Sequence, residues 1–123
     1  RQRQMCIRDR VIKDISDLGK VLVISRGASA ILKDKENVLR VFFSANEDER
    51  VSRAKKMHNL ESDAAAVDLL RHADHAQDEY FMKAFNLDFS DQSMYHLTLN
   101  TSNLTPEECS KIILNLSKNK LTY

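Results

Sequence analysis

Apolar residues stand at positions 11, 12, 15 and 18, a helical spacing that stops at Gly19, the residue type best suited to the left-handed backbone just past a helix. Val21, Leu22, Val23 and Ile24 then follow without a break. Continuous, β-branched-rich apolarity predicts a strand over 20–25 that is buried on both faces. Residues 28–32 form a short helical pattern closed by the polar run 33–37, and 38–45 predicts a second strand through Val38, Leu39, Val41, Phe42 and Phe43. Asn46 with Glu49 three positions on is a capping-box pattern, opening a helix to about residue 59. The stretch 61–85 lacks Gly and Pro, and Ala66, Leu69, Ala73, Ala76, Tyr80 and Ala84 recur at steps of three and four. This predicts one long helix with an Ala-rich face that another element can approach closely. After a polar loop over 86–93, Tyr95, Leu97 and Leu99 alternate with His96, Thr98 and Asn100, as in a strand with one wetter face. Thr105-Pro106-Glu107-Glu108 opens a last helix by three signals: Thr as N-cap, Pro at the first position, Glu at the third. Ile112, Ile113, Leu116 and Leu121 supply its buried stripe. The order strand, helix, strand, two helices, strand, helix predicts an α/β fold with a parallel sheet of about three strands.

Composition narrows the function classes. A length of 123 residues allows one domain. Lys plus Arg is 19 against 18 for Asp plus Glu, so charge makes no case for nucleic acid or a membrane surface as partner. The longest purely apolar run is four residues, too short for a bilayer span. Two cysteines, Cys6 and Cys109, argue against a disulfide framework and fit a reducing, cytoplasmic compartment. The two glycines are the most informative count. Three would be needed for a dinucleotide fingerprint. A phosphate loop of the Walker A type needs Gly, four residues, Gly-Lys, then Ser or Thr; here Gly19-Lys20 is followed by Val21 and preceded five positions upstream by Asp14. Residues 1–10, Arg-Gln-Arg-Gln-Met-Cys-Ile-Arg-Asp-Arg, show no apolar period. They resemble an in-frame translation of a sequencing adapter, are set outside the fold reading, and imply that the natural start lies upstream. Residues 11–123 are the domain proper.

Four constellations are candidates for chemistry. His72, His75 and Glu79 share one side of a helix and have metal-ligand chemistry, but Asp68, Arg71, Asp74 and Asp78 crowd the stretch, so a solvated face is the expected role. Cys109 stands in the first turn of the last helix, where a thiolate is favoured; a small apolar packing residue is the expected role. Ser25-Arg26-Gly27 falls at the carboxyl end of the first predicted strand, the edge where open α/β sheets bind ligands. An Arg there, beside a Gly that permits close backbone approach, suits a phosphate oxygen; the alternative is an Arg paired to a carboxylate. Arg50 and Arg53, three apart after the second strand, fall on the same rim, with Glu47 and Glu49 as competing partners.

Several segments in this order resemble the bacterial cytidylate kinase-like family of nucleoside monophosphate kinases over about 18–117. Val21-Leu22-Val23-Ile24-Ser25-Arg26-Gly27-Ala28 is similar to that family's strand ending in Gly-Arg-Gly-Ala. Asn37-Val38-Leu39-Arg40-Val41-Phe42 with Glu49-Arg50-Val51-Ser52-Arg53 resembles its next strand and basic helix. Leu70-Arg71-His72-Ala73-Asp74 followed by Tyr80 resembles its lid helix. Asp88-Phe89-Ser90-Asp91 and Tyr95-His96-Leu97-Thr98-Leu99-Asn100-Thr101 are similar to its Asp-Trp-x-Asp and Tyr-x-Leu-x-Ile-Asn-Thr patterns.

The resemblance implies a three-layer P-loop kinase fold, here partial and lacking the Walker A strand. It implies transfer of the γ-phosphoryl of ATP to a nucleoside monophosphate such as CMP, with Mg²⁺. Arg26 would grip the acceptor monophosphate and Asp74 its sugar, while Arg53 and Arg50 would hold the ATP phosphates. No catalytic residue and no protein metal ligand is assigned. Ser25 stands where the family has Gly, and Gln77 where its lid carries an Arg. The expectation is therefore a carboxyl-terminal fragment of such a kinase, inactive alone and holding ATP and Mg²⁺ weakly; the alternative is a non-catalytic nucleotide- or protein-binding module.

Overall fold

The computed structural model describes the backbone over residues 2–121 and the side chains from residue 7 onward. Helix α1 spans Gln2–Asp17, α2 Ala28–Ile31, α3 Glu47–Met57, α4 Asp63–Phe85 and α5 Pro106–Lys120; the strands are β1, Val41–Ser44, and β2, Leu97–Asn100. Helix α1 starts well before the predicted position, because Arg, Gln and Met are good helix formers and nothing in 2–10 interrupts them. It ends as expected, with Gly19 at φ 73°.

The predicted strand over 20–25 is corrected by the structure. The segment is extended but has no ladder partner, and Leu22 and Ile24 are 84% and 89% exposed. Only Val23 turns inward, onto Ile12, Ala28 and Leu32. Apolar patterning supplies side chains for a strand, but a strand also needs a neighbour's N–H and C=O groups. Among the described residues the sheet therefore has two strands rather than three. They are parallel, in the register Val41↔Leu97 to Ser44↔Asn100. Strand β1 is also shorter than predicted, since the N–H of Arg40 donates to His96 Nδ1 (3.0 Å) instead of to a backbone carbonyl.

Two small cores meet at α2. Ala28 packs with Ile12 of α1 and with Leu32. Ala30 packs with Phe81 and Met94 in an aromatic cluster that includes Tyr80, Phe85, Phe89 and Tyr95. Phe42 of β1 joins this cluster, its ring 5.1 Å from Phe89 and 4.9 Å from Tyr95.

Helix α4 is capped by Ser62, which accepts the Ala65 N–H, and stops at Asn86 in the left-handed region. Its ends are buried at Ala66 and Phe81, but Ala73 and Ala76 are exposed, so the predicted Ala face is uncovered along its middle. The capping box of α5 forms as predicted: Thr105 Oγ1 accepts the Glu108 N–H (3.1 Å), and Glu108 Oε1 accepts the Thr105 N–H (2.9 Å). That of α3 does not. Asn46 is spent on Asn100 across the sheet edge, and Glu49 on Arg53. Among the described residues no helix is long and apolar enough to cross a membrane.

Candidate functional site

The carboxyl ends of β1 and β2 are joined by a network that only small polar residues can make. Asn100 Nδ2 donates to Asn46 Oδ1 (3.0 Å), Asn100 Oδ1 accepts the Ser102 N–H (2.9 Å), and the Asn46 N–H donates to Ser102 Oγ (2.8 Å). Beside them, Ser44 O accepts both the N–H (2.8 Å) and the hydroxyl (2.9 Å) of Thr101. Such mutual satisfaction fixes two turns that would otherwise be loose loops.

Arg53 reaches this edge from α3. Its Nη1 donates to Thr101 Oγ1 (2.9 Å) and its Nη2 to Thr101 O (3.1 Å), while Glu49 lies 3.1 Å from Nη2. Arg50, one helical turn earlier, forms a two-pronged pair with Asp74 of α4 at 3.0 and 2.7 Å. The Asp74 hydrogen bond raises the Arg50 pKa above its ordinary value, against the opposing effect of burial. The sequence-predicted residues Arg50 and Asp74 are thus direct partners, joining α3 to the exposed middle of α4.

Arg26, in the turn before α2, lies against a different part of α4. Its guanidinium lies over the Tyr80 ring, 5.7 Å from the centroid. Asp74 and Tyr80 are six residues apart in sequence, about 9 Å of helix rise. Among the described residues no ion pair joins Arg26 to a carboxylate, whereas Arg50 and Arg53 each have one. Gly27 follows at φ 92°, and a Cβ there would meet Phe85 Cε2 at 3.1 Å and the Tyr80 hydroxyl at 3.3 Å. The close approach that this glycine permits is therefore toward an aromatic corner of the protein itself.

Sequence reasoning missed Arg8. Its Nη1 donates to the Tyr80 hydroxyl (3.0 Å) and its Nη2 to Ser25 Oγ (3.1 Å) and to the Arg26 carbonyl. Nothing in the sequence marks it, since it lies in the segment set aside. Thr101 stands out in the sequence only as the last residue of the segment similar to Tyr-x-Leu-x-Ile-Asn-Thr.

The remaining candidates are separate. His72 pairs with Asp68 (3.6 Å) and His75 with Glu79 (3.4 Å) on an exposed face, and among the described residues no three His, Cys, Asp or Glu side chains are grouped to hold a metal. Cys109 is buried, in its packing role. An open groove of about 990 Å³ runs between α3 and α4 past Val51, Lys55, Lys56, Leu60 and Val67; none of the four candidate residues lines it.

The sequence model of the cytidylate kinase-like family matches residues 1–103. A cytidylate kinase of Sulfurisphaera tokodaii is 31% identical over 106 residues, which are 85% of this chain and 58% of that protein. A cytidylate kinase of Sulfolobus acidocaldarius is 28% identical over 82 residues, 67% of this chain and 44% of that protein. The chain therefore spans about half the length of the curated relatives it matches. A crystal structure of an uncharacterized protein from Eubacterium ventriosum superposes with a TM-score of 0.81 over 94% of this chain and 65% of that one; at 14% identity this is likeness of fold alone.

Proposed function

The chain belongs to the cytidylate kinase-like family, and on that premise we propose that it is part of a nucleoside monophosphate kinase. The intact protein would transfer the γ-phosphoryl of ATP to CMP or a similar monophosphate, on a P-loop kinase fold in a cytoplasmic setting. The observation that carries this reading is the fixing of Arg53 at the carboxyl edge of a parallel strand pair. Phosphoryl transfer is chiefly positioning plus neutralisation of charge spread over phosphate oxygens, which fixed guanidinium groups supply.

The residues fit named roles. Arg26, the one of the three candidate arginines without a carboxylate partner among the described residues, would take the acceptor's phosphate. Asp74 has about four lone-pair sites and gives two to Arg50, leaving others for sugar hydroxyls. Arg53 faces the ATP phosphates, with Arg50 beside it. Mg²⁺ in such reactions is held largely by phosphates and water.

Catalysis by the isolated chain is not expected. With two glycines it has no phosphate-cradling loop, and Gln77 on α4 supplies no charge. A coupled assay of ATP-to-CMP transfer should read the no-enzyme blank for this chain. Turnover by the chain alone would overturn the reading of it as an incomplete kinase. For the protein translated from the complete reading frame, turnover is expected. Binding of CMP without turnover there would favour the second reading, a non-catalytic binding module, toward which Gln77 points.

A further inference from the structure

A hydroxyl has one proton to give and two lone pairs to offer. At Thr101 the proton goes to Ser44 O (2.9 Å), so a lone pair is left to face Arg53 Nη1, also at 2.9 Å. The Thr101 carbonyl takes Arg53 Nη2 at 3.1 Å, and the Thr101 N–H is anchored on the same Ser44 carbonyl at 2.8 Å. Both oxygens of one residue thus grip both terminal nitrogens of one guanidinium, and that residue is tied to the end of β1. β-Branching further limits its side-chain rotamers. A guanidinium carries five N–H donors. Two go to Thr101 and Nη2 meets Glu49 as well, which leaves the Nε–H and one Nη1–H without a partner among the described residues.

From this geometry we propose that Thr101 is a positioning residue. It pre-orients the Arg53 guanidinium at the carboxyl edge of the sheet, so that the unengaged N–H groups are presented to a polyphosphate. The proposal rests on the assignment of Arg53 to the ATP phosphates. Without Thr101, a long side chain on an exposed helix face would have to be immobilised at the moment of binding, at a cost in affinity.

The test uses the 123-residue chain with tripolyphosphate as probe, followed by NMR shifts. Thr101→Val removes the hydroxyl and keeps the shape; Thr101→Ser restores the hydroxyl. Thr101→Val and Arg53→Ala should each weaken binding by about three- to tenfold, the scale of one charge-assisted hydrogen bond or less. Thr101→Ser should stay within about twofold of the parent. The double variant Arg53→Ala/Thr101→Val should be no weaker than Arg53→Ala, because Thr101 acts only through Arg53. Parental binding by Thr101→Val, or losses that multiply in the double variant, would overturn the proposal. If Arg53→Ala itself leaves binding unchanged, the phosphate assignment of Arg53 fails, and the Arg53 Nη proton signals decide the positioning claim separately. They should be resolved in the parent and in Thr101→Ser and averaged in Thr101→Val; no difference between parent and Thr101→Val refutes it.

Discussion

The imidazole of His96 accepts the Arg40 N–H through Nδ1, so protonation there costs a backbone hydrogen bond. Burial, then the positive charges of Arg40 and Lys120, hold its pKa below the ordinary value of 6.5. The unfolded chain therefore takes the proton more readily than the folded one. This contribution to stability is complete above pH 6.5 and is lost as pH falls from there through the lowered folded value. An NMR titration should give a His96 midpoint below 6.5, and His96→Gln should lose less melting temperature than the parent between pH 7.5 and 5. A midpoint at or above 6.5 would contradict the assignment. The two glycines offer a second comparison at this scale. Both have positive φ, but a Cβ at Gly19 meets nothing within 4 Å, while one at Gly27 meets Phe85 and Tyr80. Gly19→Ala should cost about 1–2 kcal/mol, the backbone term alone, and Gly27→Ala measurably more in urea unfolding. Equal costs would mean that the aromatic corner yields freely. The role of Gly19 was legible in the sequence because a helix stop is a local event. Gly27 was legible as a close approach, but not its partner, because Phe85 is brought there only by the tertiary fold.

At the scale of elements, helix α4 separates what periodicity reveals from what it does not. The recurrence of Ala and Leu located the helix almost to the residue, since backbone hydrogen bonding within a helix needs no neighbour. Coverage of its face does need a neighbour, and one is present only toward the ends. Phe81, 1% exposed, should cost about 3–5 kcal/mol on truncation to Ala. Ala73→Lys, in the exposed middle, should stay within about 0.5 kcal/mol. A loss above about 2 kcal/mol at Ala73 would show that this face is packed after all. The caps divide in the same way. Thr105 and Glu108 satisfy each other and were readable as a pair, whereas Asn46 is drawn off by Asn100, which no local pattern announces. The apolar pattern over 20–25 yields no strand because pairing is a property of two segments and the pattern belongs to one. The candidate residues followed suit. Arg26, Arg50 and Arg53 are legible by type and spacing and Asp74 only through the family resemblance; the Arg50–Asp74 pairing is not legible, Arg8 carries no signal, and Thr101 stands out only as the last residue of a resembling motif.

The whole molecule leaves much apolar surface uncovered, including Leu18, Leu22, Ile24, Phe43, Met57 and Leu114. Its sheet has four residue pairs and its cores are small. Exposed apolar surface and unpaired strand edges favour self-association. The isolated chain should therefore associate at micromolar concentration by sedimentation and melt low or broadly. A sharp two-state transition of a monomer above about 60 °C would refute this. The parallel pairing of β1 with β2 also dictates an order of events. Arg40 and His96, at its mouth, are 56 residues apart, and α3 and α4 occupy the chain between. The two helices adjoin in sequence and close a short loop, whereas the strands must close a long one before any ladder bond rewards them. Collapse of the helix pair is thus expected early and zippering of the strands late, so pulsed hydrogen exchange during refolding should protect the amides of α3 and α4 before those of β1 and β2. The turns that carry Ser44, Asn46, Asn100 and Thr101 would acquire their shape only in that last step, so the chain would finish folding and complete the edge proposed above for phosphate in the same event.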